Sequence, residues 1–341
     1  MSGPAHLPDS QDVVASLHGM GLIGDGEQFG IAQLSGGVSC DVYLVAVKRR
    51  PPIVVKRALA KLRVAAEWRA PLERAATEVA WLKLVAAIEP HWVPKILGED
   101  RAAHLFAMEY FPPETFPVWK AELAAGRIDV GFAARVGAAL ARIHAATAGR
   151  ADLAAAFAND AQFLALRLEP YLLFTAQRHA NLAQAIRDEV GRIAASRIAL
   201  MQGDISPKNI LCGKEGPVFL DAETACYGDP AFDLAFCLNH FLLKSVWRPQ
   251  WTADYARAFA AMKDAYLTGV TWERAAEIDR RTARLLPMLL LARVDGKSPV
   301  EYLTDAGDKA FVRAAAMQTI VEPALNLAQL AETYFAVAGQ R

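Results

Sequence analysis

The residues best suited to chemistry lie in two short segments, 202–209 and 219–223. The first, a Gly- and Pro-containing loop, places the carboxylate of Asp204 five positions before the amide of Asn209, and the second ends an apolar run with Asp221. Phosphoryl transfer needs a carboxylate that orients the attacking hydroxyl and accepts its proton, and oxygen ligands that hold Mg²⁺ against nucleotide phosphates. We assign the first role to Asp204 and the second to Asn209 and Asp221. The alternative, that Asp204 and Asn209 only cap and turn a loop, stays open on this motif alone.

A second group of residues, earlier in the chain, fits the same chemistry. The turn Ser35-Gly36-Gly37 lies between strand-like runs, where backbone N–H groups can approach phosphate oxygens. Lys56 ends the next such run, from which its ammonium can reach the α- and β-phosphates, and Glu78 follows on a predicted helix that can hold this ammonium in place. Each residue alone is an ordinary turn or surface charge, but their joint order matches a nucleotide site.

The first third of the chain has the pattern of a small sheet with one helix. The runs 42–47 and 53–55 are rich in β-branched residues and flank a basic turn with two prolines, which is typical of a hairpin. Apolar residues recur at three- and four-residue intervals over 72–88, which predicts a helix. Two further apolar runs, 92–97 and 103–108, complete the predicted sheet.

Beyond Pro112 and Pro113 the pattern is almost wholly helical, with Ala and Leu recurring at helical spacing. The predicted helices cover 130–146, 151–171, 180–195, 233–246, 251–267 and 272–291. Segment 198–223 interrupts them with short apolar runs and polar loops, so the candidate chemistry lies in loops on a helical scaffold.

Composition limits the classes of protein that the chain can be. Its 341 residues are 54% hydrophobic, and 37 basic side chains balance 37 acidic ones, so no overall charge favours a nucleic acid or an anionic membrane as a partner. No apolar stretch approaches the ~18 residues of a spanning helix, and residues 1–12 lack the apolar run of a signal peptide, so we expect a cytoplasmic location. The four cysteines form no CxxC pair, and neither disulfides nor structural zinc are expected.

The two groups of motifs together resemble the aminoglycoside phosphotransferase and choline kinase family. The resemblance is strongest over 201–211, 220–223 and 228–235. It implies an α+β, bilobal protein-kinase-like fold, with a small antiparallel-sheet lobe carrying one helix over residues 1–110 and a larger, mainly helical lobe over residues 111–341. It also implies an ATP-dependent phosphotransferase that acts on an alcohol group of a small-molecule substrate.

The resemblance assigns roles to single residues. It implies that Asp204 is the catalytic base and that Asn209 and Asp221 bind Mg²⁺. It also implies that Lys56, paired with Glu78, positions the ATP. The backbone from Met108 to Tyr110, in the connector between the lobes, is expected to face the adenine. Main-chain recognition leaves little trace in a sequence, so the choice of ATP over GTP is an expectation without a motif behind it.

The resemblance makes segment 202–209 the catalytic loop, and three residues in or near it have a second interpretation or depart from the family pattern. Glu223 either binds a second metal ion or orients Asp221. Asp233, by family precedent, hydrogen-bonds the backbone of the catalytic loop, but an aspartate near the start of a helix also suits an N-cap. Gln202 stands where the family usually has His, and we expect its amide to support the loop in the same way.

The substrate pocket is the least marked feature of the sequence. Residues 248–341 contain no acidic cluster, which disfavours a polycationic aminoglycoside and hence a drug-resistance enzyme. The island Arg293, Asp295 and Lys297 is a candidate contact for a sugar, polyol or amino alcohol, although an ordinary helix C-terminus explains it as well. A pseudokinase that binds nucleotide without turnover is the alternative from another class of protein, and the short run after Asp221 argues against a protein kinase.

Overall fold

The computed structural model describes residues 10–34, 39–61, 63 and 70–340. The chain divides into two compact units. The first unit comprises Met1–Thr115 together with Asp221–Glu223, and the second comprises Phe116–Leu220 and Thr224–Arg341. The boundary therefore lies at Thr115 where the sequence suggested residue 110, and a short segment from late in the chain joins the first unit by its contacts.

A five-stranded antiparallel sheet with strand order β1-β2-β3-β5-β4 forms the centre of the first unit. Its strands are β1 (Phe29–Gln33), β2 (Cys40–Val47), β3 (Ile53–Ala58), β4 (Ile96–Asp100) and β5 (Leu105–Glu109). The predicted hairpin is the β2–β3 pair, and its turn contains Arg49 in the left-handed region at φ 65°. Lys56 lies on the central strand, opposite Val42 on one side and Phe106 on the other.

Two helices accompany this sheet within the described part of the first unit, where the sequence pattern predicted one. The predicted helix is α2 (Arg74–Ile88), and the unpredicted one is α1 (Ser10–Gly19). Val13 and Leu17, one turn apart on α1, join a buried core with Tyr43 and other apolar residues of the sheet. The helix is ten residues long, so this packing rather than its own propensity accounts for its stability.

The second unit is mostly helical. Its helices are α3 (Trp119–Ala124), α4 (Val130–Thr147), α5 (Ala151–Ala156), α6 (Asp160–Phe163), a π-helix (Leu164–Leu173), α7 (Phe174–Arg178), α8 (Ala183–Ala195), α9 (Ala231–Trp247), α10 (Thr252–Thr268), α11 (Ala275–Asp295), α12 (Ala306–Val321) and α13 (Leu327–Ala338). Its short strands are β6 (Ala199–Met201), β7 (Ile210–Cys212), β8 (Pro217–Phe219) and β9 (Cys226–Gly228), paired β6–β9 and β7–β8. The predicted fold class is confirmed: a five-stranded antiparallel sheet in the first unit and a mainly helical remainder.

One predicted helix is wrong in its continuity. Segment 151–171 was expected to be a single helix, but it breaks after Ala156 and ends in the π-helix, which contains Pro170. Proline lacks the N–H that an α-helical bond requires, and the wider π register, which is rare in proteins, is found frequently at functional sites. The side-chain amide of Asn159, in the break, donates to the carbonyl of Ala225, which fixes the interruption.

Helix α9 is the core of the second unit. Every residue from Ala231 to Val246 is buried, which is expected of a helix that is packed on all sides. Helices α4 and α10 approach each other closely at Gly137, where a Cβ atom would lie 2.2 Å from the carbonyl oxygen of Met262. None of the helices among the described residues has the length and apolar character needed to cross a bilayer.

Candidate active site

A buried ion cluster surrounds Lys56 in the first unit. The Nζ atom of Lys56 lies 2.8 Å from both carboxylate oxygens of Glu78 and 2.8 Å from Oδ1 of Asp221. Burial alone would lower the pKa of Lys56, but the two carboxylates raise it well above its ordinary value, so the side chain is an ammonium. Burial also raises the pKa of Glu78 to about 7, against the opposing effect of Lys56. The expected pairing of Lys56 with Glu78 is therefore present.

Asp221 adopts an uncommon backbone conformation. Its φ angle is 66°, in the left-handed region that non-glycine residues rarely occupy, and its side chain is 25% exposed. Such conformations cost free energy and are concentrated at functional sites. Asp221 thus combines an uncommon backbone conformation with a hydrogen bond from the Lys56 ammonium.

Glu223 is engaged by a buried arginine. Its Oε2 atom accepts a hydrogen bond from Nε of Arg74 at 2.9 Å and lies 3.6 Å from the thiol sulfur of Cys40. Arg74 is fully buried and also donates to the carbonyl oxygens of Ser39 and Leu59. These contacts support the alternative in which Glu223 holds segment Asp221–Glu223 in place, rather than that in which it binds a second metal ion.

The backbone of the catalytic loop in the second unit is fixed by Asp233. Its carboxylate accepts hydrogen bonds from the backbone N–H of Gln202 at 2.7 Å and of Gly203 at 2.8 Å. Of the two interpretations of Asp233, this is the loop-binding one. The start of α9 is instead satisfied by Asp229, whose Oδ1 accepts from the N–H of Ala231 at 3.0 Å.

Two further interactions hold the same loop. The amide of Gln202 donates to the carbonyl of Leu220 at 2.8 Å and accepts from the backbone N–H of Asp204 at 2.6 Å, which is the supporting role expected of it. Gly203 has a φ of +81°, and a Cβ atom there would lie 2.7 Å from the carbonyl oxygen of Thr224. Only glycine combines this conformation with so close an approach.

The carboxylate of Asp204 is held by three donors. Its Oδ2 atom lies 2.8 Å from the side-chain nitrogen of Asn209, 3.0 Å from Nη2 of Arg167 and 3.1 Å from Nζ of Lys208. Arg167 also donates from Nε to the carbonyl of Gly203 at 2.5 Å, so it binds both the backbone and the side chain of the loop. Asp204 is 4% exposed, and ion pairs of this kind fix its rotamer.

Arg167 is a site residue that sequence reasoning missed. It precedes Asp204 by many residues and belongs to the π-helix, which the pattern did not predict. An arginine within an apolar run was the available signal, since a buried arginine requires an acidic or carbonyl partner.

The residues predicted to bind Mg²⁺ offer hard oxygen donors. Among the described residues, no group of three or more His, Cys, Asp or Glu side chains is arranged to hold a metal ion. The partly exposed carboxylate of Asp221 and the amide of Asn209 are nonetheless of the type that Mg²⁺ prefers when nucleotide phosphates and water complete its shell. The donor type of each residue is therefore compatible with magnesium that a nucleotide also binds, and their role as ligands stays a prediction.

Some predicted nucleotide contacts cannot be located. Ser35, Gly36 and Gly37 lie outside the described residues. Met108 is buried near the end of β5, and Tyr110 follows that strand directly. The positions of Met108 and Tyr110 agree with a connector that leaves the sheet, and their contact with adenine stays a prediction.

The island 293–297 divides into two kinds of residue. Asp295 accepts two hydrogen bonds from Arg313, both at 2.7 Å, and lies 2.9 Å from Nε2 of His179, while Lys297 pairs with Glu169. These contacts tie helices together at the end of α11 and favour the helix-terminus interpretation for both residues. Arg293 differs, because its Nη1 donates to the hydroxyl of Tyr171 at 3.2 Å.

Comparison with known proteins gives this geometry a family. The family model described as the phosphotransferase enzyme family (APH) matches residues 30–278. The chain therefore belongs to the aminoglycoside phosphotransferase (APH) family, as the resemblance of its motifs predicted. The match includes Lys56, Glu78, the catalytic loop and α9.

Individual relatives are distant. Methylthioribose kinase from Escherichia coli is 26% identical over 262 residues, which cover 68% of this chain and 61% of that kinase. A choline/ethanolamine kinase family protein from Mesorhizobium loti superposes with a TM-score of 0.53 at 16% identity, covering 97% of this chain and 99% of its own. Amicoumacin kinase hAmiN, solved in complex with AMP-PNP, Ca²⁺ and Ami, gives a TM-score of 0.57 at 14% identity, covering 89% of this chain and 91% of its own. At such identities the structures establish the fold and leave the substrate open.

Proposed function

We propose that the protein transfers the γ-phosphoryl group of ATP to a hydroxyl of a small metabolite of the sugar, polyol or amino alcohol class. The observation that carries the proposal is the carboxylate of Asp204, held by Asn209, Arg167 and Lys208 in a loop whose backbone is bonded to Asp233. Membership of a phosphotransferase family supports the reaction type.

In this reaction Asp204 is the general base. Its carboxylate orients the acceptor hydroxyl and takes its proton, while the acceptor oxygen bonds to the γ-phosphorus and the bond from that phosphorus to the bridging oxygen of ADP breaks. Arg167 and Lys208 keep the carboxylate in one rotamer, which reduces the reorganisation required at the moment of transfer.

The first unit supplies most of the groups that handle the nucleotide. The ammonium of Lys56, held by Glu78, binds the α- and β-phosphates, and Asp221 is a proposed magnesium ligand. The other proposed ligand is the side-chain amide oxygen of Asn209, in the second unit. Magnesium, when bound, neutralises charge on the phosphates. Support for this cofactor comes from donor chemistry and from hAmiN, a relative in fold that was solved with a nucleotide analogue and a divalent cation.

The variant Asp204→Asn tests the proposal. We expect turnover with an identified acceptor to fall by about 10²–10⁴-fold, because a positioned base is lost. Calorimetric affinity for an ATP analogue should stay near that of the wild type. The matched control is Asp188→Asn, which makes the same change on the exposed face of α8 and should leave turnover intact. Undiminished turnover of Asp204→Asn would refute the assignment, and ATP binding without any turnover by the wild type would favour the pseudokinase.

A further inference from the structure

Among the described residues of the second unit, the buried ammonium of Lys244 and the half-buried guanidinium of Arg293 have no ion-pair partner. Lys244, on α9, is 1% exposed, and its ammonium has no hydrogen-bond partner within the described part of the chain. The hydrogen bonds of Arg293, on α11, go to neutral oxygens of Tyr171 and Ser298, and its Nε atom has no partner in that same part of the chain.

These cations belong to the surroundings of the catalytic loop. Burial lowers the pKa of His240, one turn before Lys244, and the charges of Arg293, Lys244 and Lys208 lower it further. Lys208 is itself an ion-pair partner of Asp204. Ring contacts give the geometric link: His240 packs against Phe236 at 6.4 Å between ring centroids, and the guanidinium of Arg167, an ion-pair partner of Asp204, lies 5.9 Å from the centre of the Phe236 ring.

Tyr171 links Arg293 to the same loop. Burial would raise the pKa of its phenol, but the guanidinium groups of Arg293 and Arg167 lower it below the ordinary value. Arg167 binds Asp204, and Arg293 binds the Tyr171 hydroxyl. Three cationic groups, Arg293, Arg167 and Lys208, therefore act on this tyrosine, opposed by the carboxylate of Asp204.

An unpartnered buried ammonium is costly to a folded protein. Removing a charge from water costs several kcal/mol unless a counter-ion and hydrogen bonds compensate for it. Burial accordingly lowers the pKa of Lys244 to about 8, and the rings of Tyr302 and Trp247, 4.4 and 5.4 Å from its Nζ, offset only part of the cost. Glu301, whose charge also acts on Lys244, is ion-paired with Lys120.

The unsatisfied atoms share one chemical character. The Lys244 ammonium and the Arg293 Nε–H are donors, and the buried hydroxyl of Tyr302, also without a partner among the described residues, can donate as well. A ligand that satisfies them must bring acceptor oxygens, and the excess of cations requires that it be negatively charged.

We propose that the acceptor alcohol carries an acidic group, a carboxylate or a phosphate ester, which binds to Lys244 and Arg293 while its hydroxyl faces Asp204. The inference rests on the proposed function for the identity of that hydroxyl as the acceptor. It narrows the substrate class to an acidic sugar or polyol derivative, because an amino alcohol would bring an ammonium into a site that already holds unpaired cations.

Turnover on a series of acceptors that share one skeleton tests the substrate class. Glycerol, glycerate, glycerol phosphate and serinol, the amino counterpart, are offered to the wild type with ATP and Mg²⁺. We expect kcat/KM to be at least tenfold higher for glycerate or glycerol phosphate than for glycerol, with serinol lowest, and the better of the two acids identifies the acidic group. Equal or better turnover of glycerol or serinol would overturn the inference and leave the proposed function intact.

Binding without turnover tests the subsite separately. Calorimetric titrations with glycerate and inorganic phosphate, at constant ionic strength, are compared between the wild type, Lys244→Met and Arg293→Gln. We expect each variant to lower the binding affinity for at least one of these anions tenfold or more. The control Lys309→Met makes the same change on α12 and should leave both affinities unchanged. Lys244→Met should also melt at a higher temperature than the wild type without ligand, because it removes an uncompensated buried charge.

The outcomes separate the two ideas. If the anions bind and Lys244→Met abolishes that binding, but no acceptor is phosphorylated, the subsite stands and the proposed function fails. Unchanged anion affinity in both Lys244→Met and Arg293→Gln, or no anion binding by the wild type, would overturn the subsite. If Lys244→Met fails to fold, the anion affinities of Arg293→Gln still test the subsite, and the acceptor series still tests the substrate class.

Discussion

Replacement of Asp233 by alanine is the sharpest test of how the catalytic loop is held. Asp233 is 0% exposed, and its two oxygens accept the backbone N–H groups of Gln202 and Gly203 at 2.7 and 2.8 Å. The imidazole of His144 lies 3.3 Å from the same carboxylate. The variant leaves two buried backbone donors without acceptors, and each costs about 1–3 kcal/mol, so we expect a loss of about 2–6 kcal/mol in the free energy of unfolding.

The control is an aspartate that caps a helix. Asp129 accepts the N–H of Phe132 at 2.9 Å and an exposed ion pair from Arg135 at 3.2 Å, and its side chain is 62% exposed. An exposed ion pair contributes little, so Asp129→Ala should cost about 1 kcal/mol, mainly for the lost cap. Urea denaturation followed by tryptophan fluorescence measures both variants. Asp233→Asn should lie between the two, since its amide keeps one acceptor oxygen and turns a donor towards the other N–H.

The reasoning also fixes what happens to function. Because Asp233 acts on the backbone of residues 202–203 and not on reacting atoms, Asp233→Asn should lower kcat while leaving the affinity for an ATP analogue unchanged. A cost for Asp233→Ala no larger than that of Asp129→Ala would refute the reasoning, because it would make Asp233 an ordinary helix-terminal residue.

Two further predictions concern the ion cluster of the first unit. Burial raises the pKa of Glu78 from 4.5 to about 7, so the folded state holds a proton that the unfolded state has lost, and stability should fall as the pH rises from about 4.5 to 7 and level off above it. The free energy of unfolding, measured by urea denaturation across this range, should fall with pH in the wild type and not in Glu78→Gln. The same pH dependence in both proteins would contradict the raised pKa of Glu78. ATP at a hundredfold excess over Kd should stabilise the protein by about 2.7 kcal/mol in the presence of Mg²⁺ and much less in its absence. Asp221→Ala should remove that difference in melting temperature, Asp188→Ala should keep it, and equal shifts with and without Mg²⁺ in the wild type would count against Asp221 as a metal ligand.

Sequence patterns predicted those features of the site that depend on short spacings. The hairpin that carries Lys56 follows from β-branched runs around a turn, and the helix that carries Glu78 follows from its apolar period. Both put the two side chains on neighbouring elements, so their pairing was predictable. The support that Gln202 gives to the loop was predictable as well, because an amide can replace the hydrogen bonds of an imidazole.

Features that depend on distant packing were not predictable. Arg167 reaches Asp204 only because the helix around it widens into the π register near Pro170, and no local pattern marked that change. Helix α1 has too little intrinsic propensity to be marked and is stabilised by its contact with the sheet. Asp295 was considered as a substrate contact, and its structural role was not recognised. Its partner Arg313 lies on α12, a helix that the sequence pattern did not predict, so their ion pair left no local signal.

The acidic residues of the site show why residue type alone could not assign their roles. Asp233 is bonded by backbone N–H groups, Glu223 by a buried guanidinium, and Asp221 by an ammonium that Glu78 shares. Backbone and guanidinium partners fix structure, because their geometry leaves the carboxylate little freedom. The ammonium of Lys56 differs, since a flexible side chain with three rotatable donors can exchange one of its carboxylate partners for a phosphate.

Asp204 belongs to neither group. Asn209, Arg167 and Lys208 all contact its Oδ2 atom, so the orientation of the carboxylate is fixed by its neighbours. A general base must present an oxygen to the acceptor hydroxyl in a fixed direction. The proposed role of Asp204 agrees with this requirement. Arg167, which orients Asp204, also lies over the ring of Phe236, and Phe236 packs against Tyr171, whose hydroxyl accepts from Arg293. The residues that hold the proposed base and those of the proposed anion subsite are thus joined through one set of contacts.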